Sequence, residues 1–370
     1  MTTFYILAAA VLVVAILVVI FRLQVLSAVL QGRYVKRVGK GNTVNAALFA
    51  VVFVVGVVAF YFSYVDASKH FLPEAASLHG VRTDHLFWFI MAILVFAFLV
   101  TNALLYIFPV MYRYKEDRKA YYYPDNHKLE MIWTIVPAVV MAGLVFYGYQ
   151  EWTAITAPAP KGAEVIEVMG KQFAWQVRYP GADNKLGKYD YRLIDAVNEF
   201  GMNFEDTASY DDFIPRELHM PKGQTVLLKI RARDVLHSVF LPHFRVKMDA
   251  VPGMPTQFWF VPTKTTAEMR VMTGNPNFNY ELACTEICGR GHYAMRFIVV
   301  VDEPADYIKW KTSQATFASL NADYVAEKAP KMKGLLPAKE IVVSDSTATA
   351  VVSDSSTTPV VIDTTVHAMK

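Results

Sequence analysis

Only two cysteines occur in the 370 residues, and both fall within Cys284-Thr285-Glu286-Ile287-Cys288-Gly289-Arg290-Gly291-His292-Tyr293-Ala294-Met295. The stretch adds an imidazole at His292 and a thioether at Met295. Two thiolates, an imidazole and a thioether are soft-to-borderline donors, a set that favours copper over magnesium, calcium or manganese. Gly289 and Gly291 let the backbone turn tightly between the ligands. The sulfur content is too high for a catalytic zinc site, and the spacing does not repeat as a structural zinc site requires. If both thiolates bridge two metal ions, each ion still needs an imidazole and a weak axial donor. One histidine must therefore come from elsewhere, and His219, His237 and His243 are all available. A Cys284–Cys288 disulfide is the competing reading, but it requires neither His292 nor Met295.

The rest of the chain has to place this loop. A 54% hydrophobic composition with positive mean hydropathy predicts a membrane part. Four apolar stretches, over 4–21, 44–65, 85–112 and 129–152, are long enough to cross a bilayer as helices. The first has no Lys or Arg ahead of it and no cleavage pattern after it, so it reads as a retained helix rather than a signal peptide. Arg22, Arg33, Lys36, Arg37 and Lys40 follow the first stretch, and Arg113, Lys115, Arg118, Lys119 and Lys128 follow the third. The positive-inside rule puts those loops in the cytoplasm, with both chain ends and the cysteine loop on the other side. After a Thr/Ala/Pro linker to Pro160, β-type runs appear at 164–169, 172–179, 225–231, 257–261 and 295–301. Val226, Leu228 and Ile230 alternate with their neighbours as in a sheet with one buried face. Short strands broken by Pro and Gly predict a sandwich or barrel. A helical segment over 304–329 and a Ser/Thr/Val/Asp-rich tail from Lys331 end the chain. No basic patch interleaved with aromatics suggests nucleic acid. The absence of Cys-x-x-Cys-His means that this chain carries no haem c.

The cysteine loop resembles C-x-E-x-C-G-x-x-H-x-x-M, the binuclear copper A signature of subunit II of haem-copper cytochrome c oxidases. Asp234-Val235-Leu236-His237-Ser238 and the following 246–253 segment are similar to that family as well. The resemblance implies a cupredoxin-like Greek-key sandwich over 161–302, carried by a transmembrane hairpin over 85–152. Residues 1–84 become an extension with two further membrane helices. The copper A ligands would be His237, Cys284, Cys288, His292 and Met295 with the Glu286 carbonyl; the Glu286 carboxylate would reach a magnesium or manganese ion shared with subunit I. Leu129-Glu130-Met131-Ile132-Trp133-Thr134 resembles the family segment whose Glu stands at the mouth of a proton pathway, a role this implies for Glu130. Where the family commonly has G-x-Q-W-x-W, this chain has Gly170-Lys171-Gln172-Phe173-Ala174-Trp175. Phe173 thus takes the position where electrons arrive, and Trp175 is either a conduit or a core residue.

The implied function is acceptance of single electrons from a c-type cytochrome and their transfer to haem a of subunit I, where oxygen is reduced to water with proton translocation. The place would be a bacterial inner membrane, with the copper domain in the periplasm. The Phe173 departure points to a membrane-held c-type donor, in a supercomplex, rather than a soluble one. The insertion over 180–215 is acidic and reads as a solvated loop or small subdomain, with an acidic docking face for a basic cytochrome as the sharper alternative. Other classes fit less well. A quinol oxidase subunit II lacks these ligands, nitrous oxide reductase needs a propeller for which there is no room, and a disulfide-stabilised membrane anchor explains none of His237, His292 and Met295.

Overall fold

The computed structural model describes residues 2–32, 39–115 and 117–329. Arg33, Lys36, Arg37, His367 and the tail from Lys331 lie outside the described residues. Four long helices come first: α1 (Thr2–Leu30), α2 (Lys40–Ala67), α3 (Leu78–Met111) and α4 (His127–Thr156). All four are long and apolar enough to cross a membrane, and they expose residues such as Val14, Val55, Phe96 and Val145. In hydrocarbon a helix pairs all its backbone groups internally, so an apolar surface on every side is the stable arrangement. The helices outrun the apolar stretches. α1 continues past Arg22 because Leu23, Leu26, Val29 and Leu30 extend its apolar surface.

α3 starts seven residues before His85, and those first two turns dock on the β domain. Ser77 caps the helix by accepting from the Gly80 N–H at 3.1 Å while donating to the Phe244 carbonyl at 2.7 Å. Arg245 grips Asp84 with two hydrogen bonds of 2.8 Å and donates to the Pro73 carbonyl at 2.6 Å. At the other end of the hairpin, the Trp259 indole donates to the Ala157 carbonyl at 2.7 Å. The sandwich is thus tied to both membrane helices that flank it.

Nine strands form two sheets. β1 (Glu164–Lys171), β2 (Ala174–Arg178), β4 (Val226–Ala232) and β7 (Thr256–Phe260) make one, in the order β2-β1-β4-β7. β3 (Leu218–Pro221), β5 (His237–Leu241), β6 (Val246–Ala250), β8 (Tyr280–Cys284) and β9 (Arg296–Asp302) make the other, in the order β3-β9-β8-β5-β6. Ile166, Val168, Val226, Leu228, Ile230, Val239 and Leu282 are fully buried between them, each burial stabilising the fold by about 1.5–3 kcal/mol. Three expected strands begin later than the sequence suggested, β4 by a single residue at Val226. Lys171 pairs with Ala174, so Gln172 and Phe173 form the hairpin turn between β1 and β2. Met295 stays in the loop, because β9 starts at Arg296.

Part of the outer face of the first sheet, around Glu167, Met169, Arg178 and Arg231, is covered, while Lys229 and Gln257 on the same face stay exposed. Residues 180–215 fold over it, together with α7 (Phe317–Leu320) and α8 (Ala322–Lys328), which follow α5 (Thr266–Thr273) and α6 (Pro304–Thr312). Met169, Phe200, Met202, Phe204, Phe317 and Val325 form a second apolar core there. Beneath it the buried Arg178 donates to Glu167 at 2.5 Å, to Asp212 at 3.0 Å and to the Gly187 carbonyl at 3.1 Å, while Arg231 holds the other Glu167 oxygen. The acidic residues of the insertion are only partly taken up by this packing, and Asp183 and Glu205 are exposed. Asp212 and Glu199 are ion-paired, and Asp190, Asp195 and Asp206 accept from backbone amides in the insertion's own turns.

Arg178→Met leaves Glu167 and Asp212 buried with half their countercharge and is expected to cost about 3–5 kcal/mol, read by chemical denaturation of the full chain in detergent. Burial raises the Asp212 carboxyl to about 7 against the pull of Arg178. Folding therefore favours its protonated form, a contribution complete below the ordinary carboxylate value of about 4 and lost as pH rises through about 7. Asp212→Asn should flatten the dependence of melting temperature on pH across that window.

Candidate metal centre

The centre forms where β5 and β8 lie side by side. His237 is the first residue of β5 and Cys284 the last of β8, and the pairing of Val239 with Cys284 sets their offset. The Cys284 Sγ lies 3.9 Å from the His237 Nδ1. The loop then doubles back: the Cys284 N–H donates to the Met295 carbonyl at 3.1 Å, and the His292 N–H to the Gly289 carbonyl at 3.1 Å. This return places the Cys288 Sγ 3.7 Å from the His292 Nδ1 and 3.8 Å from the Met295 Sδ. The Glu286 carbonyl turns inward, accepting from the Cys284 thiol at 3.2 Å. His237, Cys284 and Cys288 alone bring three ligand atoms within 4.8 Å of one another.

Close packing makes this possible. Gly289 has φ +135°, and a Cβ there would come within 2.9 Å of the Gln172 amide and the Phe173 ring. A Cβ on Gly291 would meet the Phe173 ring at 2.6 Å, and one on Gly170 would meet the His237 ring at 2.9 Å. The Gln172 side chain donates to the Cys288 carbonyl at 2.5 Å. The β1–β2 turn thus clamps the cysteine loop from outside.

Asp234 orients the histidine. Its Oδ1 lies 2.8 Å from the His237 Nε2, and Oδ2 accepts from the Gln172 N–H at 2.7 Å. With the Nε2 proton directed at the carboxylate, the Nδ1 lone pair faces the sulfurs. Asp234 was part of the sequence motif, and its role is legible only as the i, i+3 partner of His237. Gly170 and Gln172 likewise stand at matched positions of the G-x-Q segment, a pattern that does not tell what they support.

The donors suit a soft metal ion. Both cysteines are free and buried, His237 is fully buried and Met295 nearly so. Burial and the adjacent Cys284 sulfur raise the Cys288 thiol to about 11, so metal binding must displace a proton from it. The free thiols set aside the disulfide reading.

The other residues singled out in the sequence lie as follows. Trp175 is buried and meets the His237 ring edge-on with centroids 5.8 Å apart. Phe173 is 41% exposed at the surface above Gly289 and Gly291. The Glu286 side chain is exposed. Glu130 lies in the first turn of α4, far along the chain from the centre, with its carboxylate 3.7 Å from the His127 ring. His219 stacks on Trp310 and pairs with Asp302, and His243 packs among Phe278 and Tyr280; neither belongs to the centre.

Two family models match the chain: the cytochrome c oxidase subunit II periplasmic domain over residues 164–302, and the transmembrane domain of the same subunit over residues 65–150. The chain is 36% identical over 242 residues to the alternative cytochrome c oxidase subunit 2 of Bradyrhizobium diazoefficiens, covering 64% of this chain and 82% of that protein. With cytochrome c oxidase subunit 2 of Thermostichus vulcanus it shares 28% identity over 293 residues, covering 71% of this chain and 85% of the relative. Among solved structures, the periplasmic domain of subunit II of cytochrome oxidase (CoxB) of Bradyrhizobium japonicum aligns with 23% identity and a TM-score of 0.28, over 42% of this chain and 96% of that one. With its membrane helices, its two-sheet sandwich and both matching domains, the chain belongs to the cytochrome c oxidase subunit II family of the haem-copper oxidases.

Proposed function

We propose that this chain is the electron-receiving subunit of a respiratory oxidase. It would take single electrons from a c-type cytochrome at a copper A pair and pass them to haem a in subunit I, where oxygen is reduced to water with proton translocation. The observation that carries this reading is the convergence of two free buried thiols, two imidazole nitrogens, a thioether and an inward-turned carbonyl at one end of the sandwich. The copper pair, when bound, supplies one-electron acceptance with little change in bond length.

The protein's own residues do the rest. Cys284, Cys288, His237 and His292 would hold the pair, with Met295 and the Glu286 carbonyl as weaker donors that tune its potential. Asp234 keeps the His237 proton on Nε2 and the ring fixed. Burial of Cys284, Cys288 and Met295 excludes water and limits rearrangement. Phe173 covers the loop where a donor would approach, and Trp175 supports His237 from the core side. The exposed Glu286 carboxylate would hold a magnesium or manganese ion shared with subunit I, as suits a hard cation.

Glu130, in the first turn of α4, would open the proton path into subunit I. The basic loop over 113–128 supports a cytoplasmic position for that end, with the sandwich in the periplasm of a bacterial inner membrane.

Purified chain should carry a copper pair with a purple absorbance and a delocalised mixed-valence EPR signal; a colourless, copper-free protein overturns the reading. Cys288→Ser and His237→Ala should each abolish or recast that signal. Asp234→Asn should retain it while lowering copper affinity about 10–100-fold, measured by chelator competition. Glu130→Gln should slow proton-coupled turnover of the whole oxidase with the copper spectrum intact, and normal proton uptake would remove Glu130 from the path.

A further inference from the structure

The membrane helices α2 and α3 pack on each other but leave a gap midway. Phe53 of α2 stacks on Tyr106 of α3 with centroids 5.3 Å apart, and Phe60 of α2 lies against Phe98 of α3 at 5.7 Å, so the helices run antiparallel. The spacing of the two α2 rings sets these aromatic pairs about 10 Å apart along the helix. Between them Gly56 of α2 comes opposite Asn102 of α3, and a cavity of about 250 Å³ opens there. Glycine in a membrane helix commonly lets a second helix approach closely. At Gly56, the helix's own backbone aside, no atom comes within 4 Å of the place a Cβ would take. This glycine therefore leaves space instead of closing it. Val52 and Leu99 at the edge of the cavity are exposed, so it opens sideways toward lipid.

Asn102 brings a polar group to a depth where water is absent. It lies nine residues before the end of α3 at Met111, about 13 Å by helical rise, within an apolar layer about 30 Å thick. Its Nδ2 donates to the Phe98 carbonyl at 2.8 Å, which uses one N–H. The second N–H and the side-chain oxygen have no partner among the described residues. The neighbouring Thr101 shows the contrast, since its hydroxyl donates back to the Ala97 carbonyl at 2.7 Å and is satisfied within the helix. An amide with an unused donor and acceptor in hydrocarbon is costly, and a ligand that completes it is favoured.

We propose that this cavity binds the ring of an isoprenoid quinone that enters from the bilayer. A phospholipid chain has the right polarity for the walls but offers Asn102 nothing, because its ester and phosphate groups stay at the membrane surface. A quinone ring is flat, apolar on both faces and carries carbonyl oxygens. It lies against the aromatic walls while one oxygen accepts from the unused Asn102 N–H. The reduced ring donates its hydroxyl to the Asn102 oxygen, so the same amide serves both forms. The site depends on α2, most of which precedes the residues matched by the subunit II transmembrane model, and a chain with only the α3–α4 hairpin lacks it. It does not rest on the copper reading.

The test uses the full chain in nanodiscs of quinone-free phospholipid and a photoreactive azido-ubiquinone with a short isoprenoid tail. Illumination is expected to label the peptides that contain residues 52–60 and 98–106. A large excess of unmodified ubiquinone of the same tail length should remove the label, and the same excess of a ring-free isoprenoid alcohol should leave it. Asn102→Leu takes a polar group out of hydrocarbon at similar volume, so the helix pair keeps its fold; the probe concentration for half-labelling should rise about 3–10-fold. Gly56→Leu fills the cavity and should reduce labelling about 10-fold or more. Labelling confined to other segments, no labelling, equal competition by the ring-free alcohol, which marks filling by lipid chains only, or half-labelling unmoved by Asn102→Leu overturns the inference. Circular dichroism separates loss of fold from loss of binding in each variant. A missing copper absorbance counts against the subunit reading and leaves this one standing.

Discussion

The register between β5 and β8 is the constraint on which the centre depends. Opposing Val239 to Cys284 puts an imidazole from the start of one strand beside a sulfur from the end of the other, 47 residues apart in the chain. A slip of one residue would turn His237 to the opposite face of the sheet and take its nitrogen away from the sulfurs. The buried side chains of Val239 and Leu282 resist such a slip, because it would also expose them. The core of the sandwich and the geometry of its ligands are therefore held by the same ladder.

Two outer supports act on that end of the sandwich. The β1–β2 turn presses Gln172 and Phe173 against Gly289 and Gly291, positions where any side chain would collide. Asp234 joins the turn to the histidine, since one carboxylate serves both the Gln172 N–H and the His237 Nε2. Loop, turn and strand end are thereby locked together, a preorganisation of the ligand-bearing residues.

Farther out, the insertion and the C-terminal helices close part of the outer face of the first sheet around a charged cluster. Arg178 and Arg231 divide Glu167 between them, and Asp212 completes the balance. Residues 180–215 supply Asp212 and the Gly187 carbonyl to this network, in which the buried Asp212 Oδ1 has no hydrogen-bond partner. On the membrane side, Arg245 in a left-handed turn holds Asp84 on α3, so that the sandwich is tied to the first turns of that helix.

Much of this was readable from the chain alone. The donor types and their spacing at Cys284, Cys288, His292 and Met295 specify a sulfur-rich metal site because coordination chemistry acts locally, on residues a few positions apart. Four apolar runs specify membrane helices because bilayer thickness sets their length. Strands of four or five residues such as β3, β5, β6 and β8 escaped notice, since a run so short shows no period. Periodicity also left His219, His237 and His243 equivalent, and motif resemblance rather than spacing singled out His237. Only the tertiary structure decided that part of the outer sheet face is covered, that Asp212 and Glu199 of the acidic insertion are ion-paired, and that Asp234, Gln172 and Gly170 support the ligands. Those outcomes depend on contacts between segments far apart in sequence, and such contacts are set by packing across the whole fold rather than by any local pattern of residues.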